Sequence, residues 1–390
     1  MVHDIEVSRG DNLAPNTVTM MGSMKRHLKW LMELTAIPTA AGQEWRVISW
    51  IEKWVSTQRR VVLKHDRFGN LLLKQKRTTT KKPIYITAHL DHPAFVVRKQ
   101  VDEQHIEMEF RGGVHDAYFV GATVEVFDND NNGYRGTIQS LEPKATPFKR
   151  VIVRLQKSVA GFLLEGDVGR WKFGPPVVKR GLLHAPACDD LAGVAAAIAA
   201  LNKLTAMRGM GHVGVLLTRA EEIGFVGAIA AAKNRTVPKK ARLLCLETSR
   251  SFPESPIGGG PILRVGDKTS VFGPELTNAV AVIMNAQKNF PWQRKLMPGG
   301  TCESTVFCNY GFLSTCLCLA LGNYHNMRDI DGVEQTKKTA KVAPEFISVS
   351  DFHGLVKMLT IVCRDLDKSR TGSLRRSLET RLNKHSKLLS

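Results

Sequence analysis

Histidine and carboxylate side chains stand at the ends of four predicted strands and at the start of one predicted helix. The residues concerned are His89 and Asp91, Asp189 and Asp190, Glu221 and Glu222, Glu247, and His325. Each of them alone has an ordinary explanation, such as a helix N-cap or a solvated acidic pair. Open α/β sheets, however, bring the carboxyl ends of their strands to one edge, so we expect these segments to meet there. Imidazole and carboxylate groups together suit zinc, cobalt or manganese, which makes metal-assisted chemistry the leading hypothesis.

The spacing within these segments suggests separate roles. His89 and Asp91 are two residues apart on a predicted strand, and because side chains alternate with period two, Asp91 can hold the His89 ring. Glu221 and Glu222 are adjacent and point in different directions, so Glu222 can bind a metal while Glu221 serves as general base toward the attacking water. The sequence therefore predicts catalytic roles for Asp91 and Glu221.

Predicted strands alternate with predicted helices on both sides of a central region. Before it, two amphipathic helices and a hairpin lead to the strand IYITAH at 84–89, and after Gly181 helices and strands alternate again. This alternation is typical of a mostly parallel sheet covered on both faces. The central region has short alternating runs separated by Gly, Asn and Asp, which are typical of an all-β module. We predict an α/β fold with a mixed, mostly parallel sheet and an inserted, barrel-like all-β domain.

The predicted domain boundaries follow these changes of pattern. A flexible leader takes residues 1–22, and the catalytic domain takes residues 23–93 and 179–367. The inserted β domain takes residues 94–178 and is expected to mediate assembly or act as a lid. A basic tail takes residues 368–390, in which seven Lys or Arg accompany one Glu.

Composition excludes several classes of protein. With 390 residues, 43% hydrophobic and 23% charged, the chain has the profile of a globular protein of two or three domains. No apolar run approaches the ~20 residues of a membrane span, and no secretory signal is apparent. Seven cysteines without a CxxC pair do not favour a disulfide framework or a cysteine zinc site. We therefore expect a cytoplasmic protein with no membrane partner.

The net charge of +19 is large and raises the alternative of a nucleic-acid-binding protein. The excess is spread over residues 59–82, residues 144–154 and the tail. Aromatic residues do not interleave with these basic stretches to form a stacking platform for bases. The pattern therefore does not favour nucleic acid as a partner, and a basic solvated surface is the competing interpretation.

Seven short segments carry a family resemblance. They are IPTAAGQE at 37–44, DRFGN at 66–70, AHLDHP at 88–93, ACDDLAG at 187–193, RAEEIGFVGA at 219–228, GGGPILR at 258–264 and GNYHN at 322–326. In this order they resemble the co-catalytic metallopeptidases, and most closely the M42 family of glutamyl- and leucyl-type aminopeptidases. M42-like enzymes carry their insertion between the HxD motif and the bridging Asp, where the β module lies here, whereas M20-like deacylases and carboxypeptidases carry theirs later.

The resemblance implies a phosphorylase/hydrolase-like zinc-peptidase fold, a peptide substrate and two divalent metal ions per chain, with zinc or cobalt as the first expectation and manganese as the alternative. The implied ligands are His89, Asp189 and Glu247 for one ion and Asp189, Glu222 and His325 for the other. Asp189 would bridge the two ions, Glu221 would be the base, and the Asp189–Asp190 peptide bond would be cis. M42 relatives form large hollow assemblies, which implies a homo-oligomer.

Departures from the family pattern leave alternatives open. Glu247 stands where M42 members usually have Asp, and residues 299–303 read GGTCE in place of Gly-Gly-Thr-Asp. An N-acyl amino-acid deacylase or carboxypeptidase of the M20-like type is the rival enzyme. Excess positive charge and the arginines Arg219, Arg250 and Arg328 suggest an acidic N-terminal residue as substrate, although pairing of these arginines with structural carboxylates is the competing interpretation.

Four further residues near the motifs are given structural roles. His92 and His184 are expected to line the site without binding metal, and Cys302 is expected to be structural or to line the pocket. His115 lies in the β module and is expected to reach a site only through assembly.

Overall fold

The computed structural model describes residues 15–77, 79–158, 161, 163–336, 338–368 and 373–389. Its α-helices are α1 Pro15–Thr35, α2 Trp45–Ser56, α3 Leu191–Thr205, α4 Val226–Lys233, α5 Pro274–Asn285, α6 Glu303–Asn309, α7 Ile330–Thr336, α8 Val349–Asp365 and α9 Ser373–His385. Short 3₁₀ turns occupy Asp116–Tyr118, Tyr324–Asn326 and Ser386–Leu388.

The main sheet has the strand order β1-β2-β12-β3-β13-β16-β14-β15. Its strands are β1 Val61–His65, β2 Leu71–Gln75, β3 Ile84–His89, β12 Val213–Thr218, β13 Arg242–Arg250, β14 Ile262–Gly266, β15 Gln293–Leu296 and β16 Leu313–Leu321. The central strands β12, β3, β13 and β16 run parallel, whereas β2 joins β12 and β14 joins β16 in antiparallel fashion. The predicted mixed, mostly parallel sheet is confirmed.

Helices cover both faces of this sheet because the central strands are apolar on both sides. Ile86 and Ala88 point into a large core shared with α1, α2, α3, α5 and α8. Tyr85 points into a second core, on the opposite face, shared with α4 and α6. Helix α3 is rich in alanine, and its residues from Leu191 to Leu201 are fully buried, so it can lie closely between the sheet and the outer helices.

A closed barrel with the strand order β4-β5-β8-β7-β6-β9 is inserted between β3 and β10. Its strands are β4 Ala94–Gln100, β5 His105–Arg111, β6 Thr123–Phe127, β7 Gly133–Glu142, β8 Lys149–Leu155 and β9 Val168–Trp171. Four aromatic rings fill its interior, with Phe95 4.7 Å from Trp171 and Phe110 4.9 Å from Phe119 between ring centroids. The barrel-like inserted domain predicted from the alternating pattern is confirmed.

Smaller sheets connect the two parts. Strands β10 Val177–Lys179, β11 Leu182–Ala185 and β19 Glu345–Ser348 form one, and β17 Met327–Arg328 pairs with β18 Lys341–Val342. The boundary predicted at residue 178 thus falls inside β10, which pairs with the catalytic part.

Helices lie near both ends of the chain. Helix α1 begins at Pro15, inside the predicted leader of residues 1–22, because proline is well tolerated at the first helical position; residues 1–14 lie outside the described residues. Part of the predicted tail is helical as α9, which carries no buried residue among residues 375–389. Among the described residues, no helix is both long and apolar enough to span a membrane.

Candidate metal centre and active site

The carboxyl ends of the parallel strands bring the predicted residues to one edge of the main sheet. β3 and β12 are in register, so His89, the last residue of β3, lies opposite Thr218, the last residue of β12. Glu221 and Glu222 follow Thr218 after a two-residue connection, and Glu247 lies in β13, on the other side of β3. The convergence expected at the strand ends of an open α/β sheet is therefore present.

Asp189 lies between two groups of possible metal ligands. His89 Nε2 is 3.5 Å from Asp189 Oδ1 and 4.0 Å from Glu247 Oε1. On the other side, His325 Nε2 is 3.5 Å from Asp189 Oδ2 and also 3.5 Å from Glu222 Oε1. Within each group the ligand atoms lie within 4.8 Å of one another. One carboxylate is thus shared by both groups.

These distances fit divalent cations. Two atoms bound about 2.0–2.1 Å from one tetrahedral zinc ion lie about 3.4 Å apart, close to the 3.5 Å separations around Asp189. Asp189 Oδ1 is buried and makes no hydrogen bond with any described residue. Buried polar atoms generally have a partner, and a cation between this oxygen and His89 would provide one. Imidazole and carboxylate form a donor set suited to zinc, cobalt or manganese.

Backbone carbonyls orient both imidazole rings. His89 Nδ1 donates to the carbonyl oxygen of Asp91 at 3.1 Å, and His325 Nδ1 donates to the carbonyl oxygen of Gly113 at 2.7 Å. In each ring the proton is held on Nδ1, which leaves the Nε2 lone pair facing Asp189. Gly113 follows barrel strand β5, so the inserted domain takes part in orienting His325.

The Asp91 carboxylate holds the loop that follows β12. It is fully buried and accepts hydrogen bonds from the backbone N–H groups of Glu221 and Glu222, both at 3.0 Å. Its nearer oxygen lies 3.5 Å from His89 Nδ1. Asp91 therefore contacts His89 mainly through its backbone, whereas its side chain fixes the position of the two glutamates.

Glu44 is a buried residue that the sequence reasoning missed. Its carboxylate accepts from the backbone N–H of Ala220 at 3.0 Å and pairs with the Arg219 guanidinium at 2.7 Å. It also accepts from the Gly42 N–H at 2.8 Å. Ala220 has a positive φ of 53°, which few non-glycine residues adopt, and these bonds hold it next to Glu221.

Glu345 is a second missed residue, and it connects the two halves of the site. One oxygen accepts from the backbone N–H groups of Cys188 at 2.6 Å and Asp189 at 3.1 Å. The other accepts from the His325 N–H at 2.9 Å. The side chain is fully buried in β19. Glu345 therefore fixes the backbone of the shared carboxylate and of the last histidine together.

His92 also supports Asp189. Its Nδ1 donates to the Asp189 backbone carbonyl at 2.6 Å, and burial lowers the pKa of its ring to about 4, so the ring is neutral near pH 7. The Asp189–Asp190 peptide bond is cis. His184 instead packs on Phe346 at 5.3 Å between ring centroids.

Burial and the charges of neighbouring carboxylates disfavour negative charge on three glutamates of the site, Glu221, Glu222 and Glu247. Burial raises the pKa of Glu222 to about 8, an effect that His325 partly offsets. Burial also raises the pKa of Glu247, with a further contribution from Asp189. Burial raises the pKa of Glu221 well above its usual range. A group of buried carboxylates with raised pKa values is an environment that favours bound cations.

Two cavities open beside these ligands. One adjoins Glu247, and its wall includes Arg264, Phe252 and Tyr324. The other, of about 460 Å³, adjoins His325 and extends to the barrel. His115 lines this second cavity and pairs with Glu334 at 3.2 Å. The expectation that His115 could reach a site only through assembly is therefore wrong, because the β5–β6 connection already lies over His325 within one chain.

The arginines singled out from the sequence have separate environments. Arg219 pairs with buried Glu44, Arg250 pairs with Asp331 at 2.5 Å while lining the cavity beside Glu247, and Arg328 is exposed in β17. Arg219 is thus committed to a structural carboxylate, as the competing interpretation had it.

Arg264 is an arginine that the sequence reasoning missed. It is 2% exposed and donates to Ser249 Oγ at 3.0 Å and to the Gly300 carbonyl at 2.6 Å. No carboxylate of the described residues lies within 4.0 Å of its guanidinium. Cys302, close in sequence to this cavity, is the buried residue before α6. A charged guanidinium with neutral partners therefore stands in the wall of the cleft beside Glu247.

Comparisons with known proteins agree with this architecture. The family of M42 glutamyl aminopeptidases matches residues 69–339. A curated protein of Acetivibrio thermocellus named "Putative aminopeptidase" is 24% identical over 252 residues, which are 61% of this chain and 73% of that protein. The TET1 peptidase of Pyrococcus horikoshii superimposes with a TM-score of 0.70 at 20% identity, over 87% of this chain and 99% of that one. An aminopeptidase of Desulfurococcus kamchatkensis superimposes equally well, with a TM-score of 0.70 at 17% identity, over 89% and 98%.

The two superimposed structures share less than 25% of their residues with this chain, so they support the fold alone. The family match is the evidence for family membership. Residues 69–339 make up well over half of the chain and include both ligand groups around Asp189. By this match the chain belongs to the M42 family of peptidases and is a peptide-bond hydrolase.

Proposed function

We propose that this protein is an aminopeptidase that depends on two divalent metal ions and removes N-terminal residues from peptides. The observation that carries the proposal is the shared position of Asp189, with His89 and Glu247 on one side and Glu222 and His325 on the other. Family membership favours peptidase activity over the M20-like deacylase alternative and over a non-catalytic nucleic-acid-binding relative.

When bound, the two ions would polarise the scissile carbonyl, lower the pKa of the attacking water and anchor the free amine of the substrate. Glu221 has a carboxylate that accepts no hydrogen bond from the described residues, and its ligand atom lies within 4.8 Å of those of His89 and Glu222. It is therefore free to take the proton of the water and to pass it to the leaving amine. Asp91 positions Glu221 through the backbone N–H bond at 3.0 Å.

The cleft beside Glu247 suits an acidic N-terminal side chain. Arg264 is buried there without a carboxylate partner, and Arg250 stands in the same wall. Glu247 acts on Arg264 only at a distance, and a substrate carboxylate would give this guanidinium a directly bonded partner, which guanidinium groups bind well. Phe252 and Tyr324 provide apolar surface for the aliphatic part of such a side chain.

Metal analysis tests the first part of this proposal. Purified protein should contain two divalent ions per chain, and His89→Ala should lose metal and activity together. His105→Ala is a matched control, because His105 also pairs with an aspartate, Asp102 at 2.9 Å, but lies on the barrel. A wild-type protein that hydrolyses peptides with one ion or none would overturn the proposal of a dinuclear site.

A substrate panel tests the second part. Aminoacyl anilides with a free amine should be hydrolysed, and the same anilides with an acetylated amine should not. Hydrolysis of N-acyl amino acids would instead establish the deacylase alternative. Glutamyl and aspartyl substrates should exceed leucyl and lysyl ones in kcat/KM at both low and high salt, since a contact inside the cleft is less screened than surface charge. A leucyl preference at both salt concentrations would refute the acidic cleft.

We further propose that the chain forms a homo-oligomer. The TET1 peptidase of Pyrococcus horikoshii can assemble into a tetrahedron or a large octahedral shell, and the barrel is the part of this chain that we expect to mediate such contacts. Light scattering of the purified protein should give a mass several times the 43.2 kDa of one chain. A mass equal to one chain would contradict the proposal.

A further inference from the structure

A cavity of about 420 Å³ lies away from the candidate metal centre. We call it the α1–α8 cavity, because α1, the end of α3 and the beginning of α8 form its walls together with two loops. Its lining residues are Met24, His27, Lys203, Gly258, Gly260, Pro261, Asn289, Phe290, Pro291, Ser350, Asp351, His353, Gly354, Val356 and Lys357. None of the candidate metal ligands belongs to this set, so its function is independent of the proposed peptidase mechanism.

The cavity has two lysines that form no ion pair with a described carboxylate. Lys203 is half-buried in the last turn of α3, and its ammonium group makes neither a hydrogen bond nor an ion pair with the described residues. Burial lowers the pKa of Lys203, and the charge of Lys357 lowers it further. Lys357 is exposed at the rim of the cavity, and its ammonium lies over the face of the Phe290 ring, 5.2 Å from the centroid. An ammonium group removed from water without a partner is costly.

The histidines of the cavity are neutral and add no charge. Burial lowers the pKa of His27 to about 4, and Lys203 contributes to this decrease. Burial, followed by Lys203, also lowers the pKa of His353. Neutral imidazoles can still donate or accept hydrogen bonds, so they offer polar contacts next to the two lysines.

The acidic residue of the lining is already engaged. Asp351 is 3% exposed and accepts from the backbone N–H groups of Gly258 at 2.7 Å and Gly260 at 3.0 Å. The Asp351 carboxylate forms no ion pair with any lysine of the described residues. Neither Lys203 nor Lys357 is paired with it, so both ammonium groups can bind an anionic ligand directly.

The rest of the wall is apolar. Phe290, Pro261, Pro291 and Val356 contribute hydrocarbon surface, and a volume of about 420 Å³ lies within the range of ligand pockets and far exceeds that of a simple inorganic anion. We propose that the α1–α8 cavity binds a small amphipathic anion, whose charged head is held by Lys203 and Lys357 and whose apolar body packs against Phe290 and the prolines.

Octanoate is a suitable probe, because it joins one carboxylate to a short hydrocarbon chain. Calorimetric titration should detect its binding to the wild-type protein, and Lys203→Met should weaken that binding on the order of tenfold, the usual loss for a charged hydrogen bond. Lys357→Met should weaken it too. Lys53→Met is the matched control, because Lys53 likewise lies in the last turn of a helix but is fully outside the cavity.

Three further probes separate the parts of the proposal. 1-Octanol lacks the charge, octylammonium has the wrong charge and inorganic phosphate lacks the hydrocarbon, so each should bind at least tenfold more weakly than octanoate. Without any ligand, Lys203→Met should melt at a higher temperature than wild type, because the unpaired ammonium is gone. Octanoate binding that is absent, that is matched by 1-octanol, or that survives in the Lys203→Met/Lys357→Met double variant would overturn the proposal.

Discussion

Glu303 offers a quantitative test of how this fold accommodates charge beneath the metal centre. The side chain is 1% exposed at the start of α6, and neither carboxylate oxygen has a hydrogen-bond partner among the described residues. The neighbouring Thr218 hydroxyl donates instead to the Ala88 carbonyl at 3.2 Å. Burial raises the pKa of Glu303 from its ordinary 4.5 to about 7, against opposing effects of His89 and Thr218.

The sign of the effect follows from linkage. Because the pKa of this acid is higher in the folded state, the unfolded chain loses its proton first, and the folded state loses stability as the pH rises from about 4.5 to about 7. At about 1.4 kcal/mol per pH unit, the full cost is about 3 kcal/mol, and about 2.5 kcal/mol of it falls between pH 5 and pH 8.

Glu303→Gln removes the ionisation and keeps the shape, and its amide can donate to the Thr218 hydroxyl oxygen. With an unfolding entropy of about 2.1 cal/mol/K per residue, 2.5 kcal/mol corresponds to roughly 3 °C for a chain of this length. We expect the difference in Tm between Glu303→Gln and wild type to be about 3 °C larger at pH 8 than at pH 5. Thermal melts in the presence of EDTA measure this without interference from bound cations.

The control is Glu275→Gln, because Glu275 also lies in the first turn of a helix, α5, but is exposed. It should leave the pH dependence of Tm unchanged. If Glu303→Gln follows the wild-type pH dependence as closely as this control does, the Glu303 carboxylate is ionised without penalty and the reasoning is refuted.

Three further predictions concern the site. Glu221→Gln should keep its metal, by elemental analysis, but lose about 10²–10⁴-fold in kcat, because an amide cannot accept the water proton; near-normal kcat would exclude Glu221 as the base. Glu345→Gln should weaken metal affinity about 10–100-fold in competition with a chelator, because the backbones of Asp189 and His325 lose a charged acceptor; unchanged affinity would mean that other contacts suffice. Asp91→Asn should lower kcat with little change in KM, whereas a change in KM alone would assign Asp91 to substrate binding.

The position of the site could be predicted because it follows from topology. His89 and Glu247 lie within parallel strands and Glu222 lies in the connection that follows β12, and strand order places such positions at one edge whatever the details of packing. The barrel could be predicted for a similar reason, since strands with one face in a small core must alternate. Residue-level roles, domain boundaries and assembly remain predictions.

The supporting carboxylates could not be predicted in the same way. Glu345 is a single acidic residue in a short edge strand. Two of its backbone donors, Cys188 and Asp189, lie more than 150 residues earlier in the chain, and the third, His325, lies in the loop after β16. Only the folded chain brings these donors together. Glu44 and Arg264 had a weak signal, because each is the last residue of a segment shared with the family, IPTAAGQE and GGGPILR, but neither has a spacing that indicates a partner.

The bond between Gly113 and His325 changes how the inserted barrel should be viewed. The sequence predicts an inserted domain that mediates assembly or acts as a lid. The carbonyl that fixes the His325 tautomer, at 2.7 Å, belongs to the barrel, and the Tyr118 hydroxyl of the barrel donates to the Arg328 carbonyl, at 2.8 Å, just beyond the histidine. His325 itself has a positive φ of 53°, which such bonds must hold in place. An enzyme without residues 94–178 would therefore lose the orientation of one proposed metal ligand as well as the assembly contacts that we propose for the barrel, so loss of activity in that deletion cannot be assigned to assembly alone.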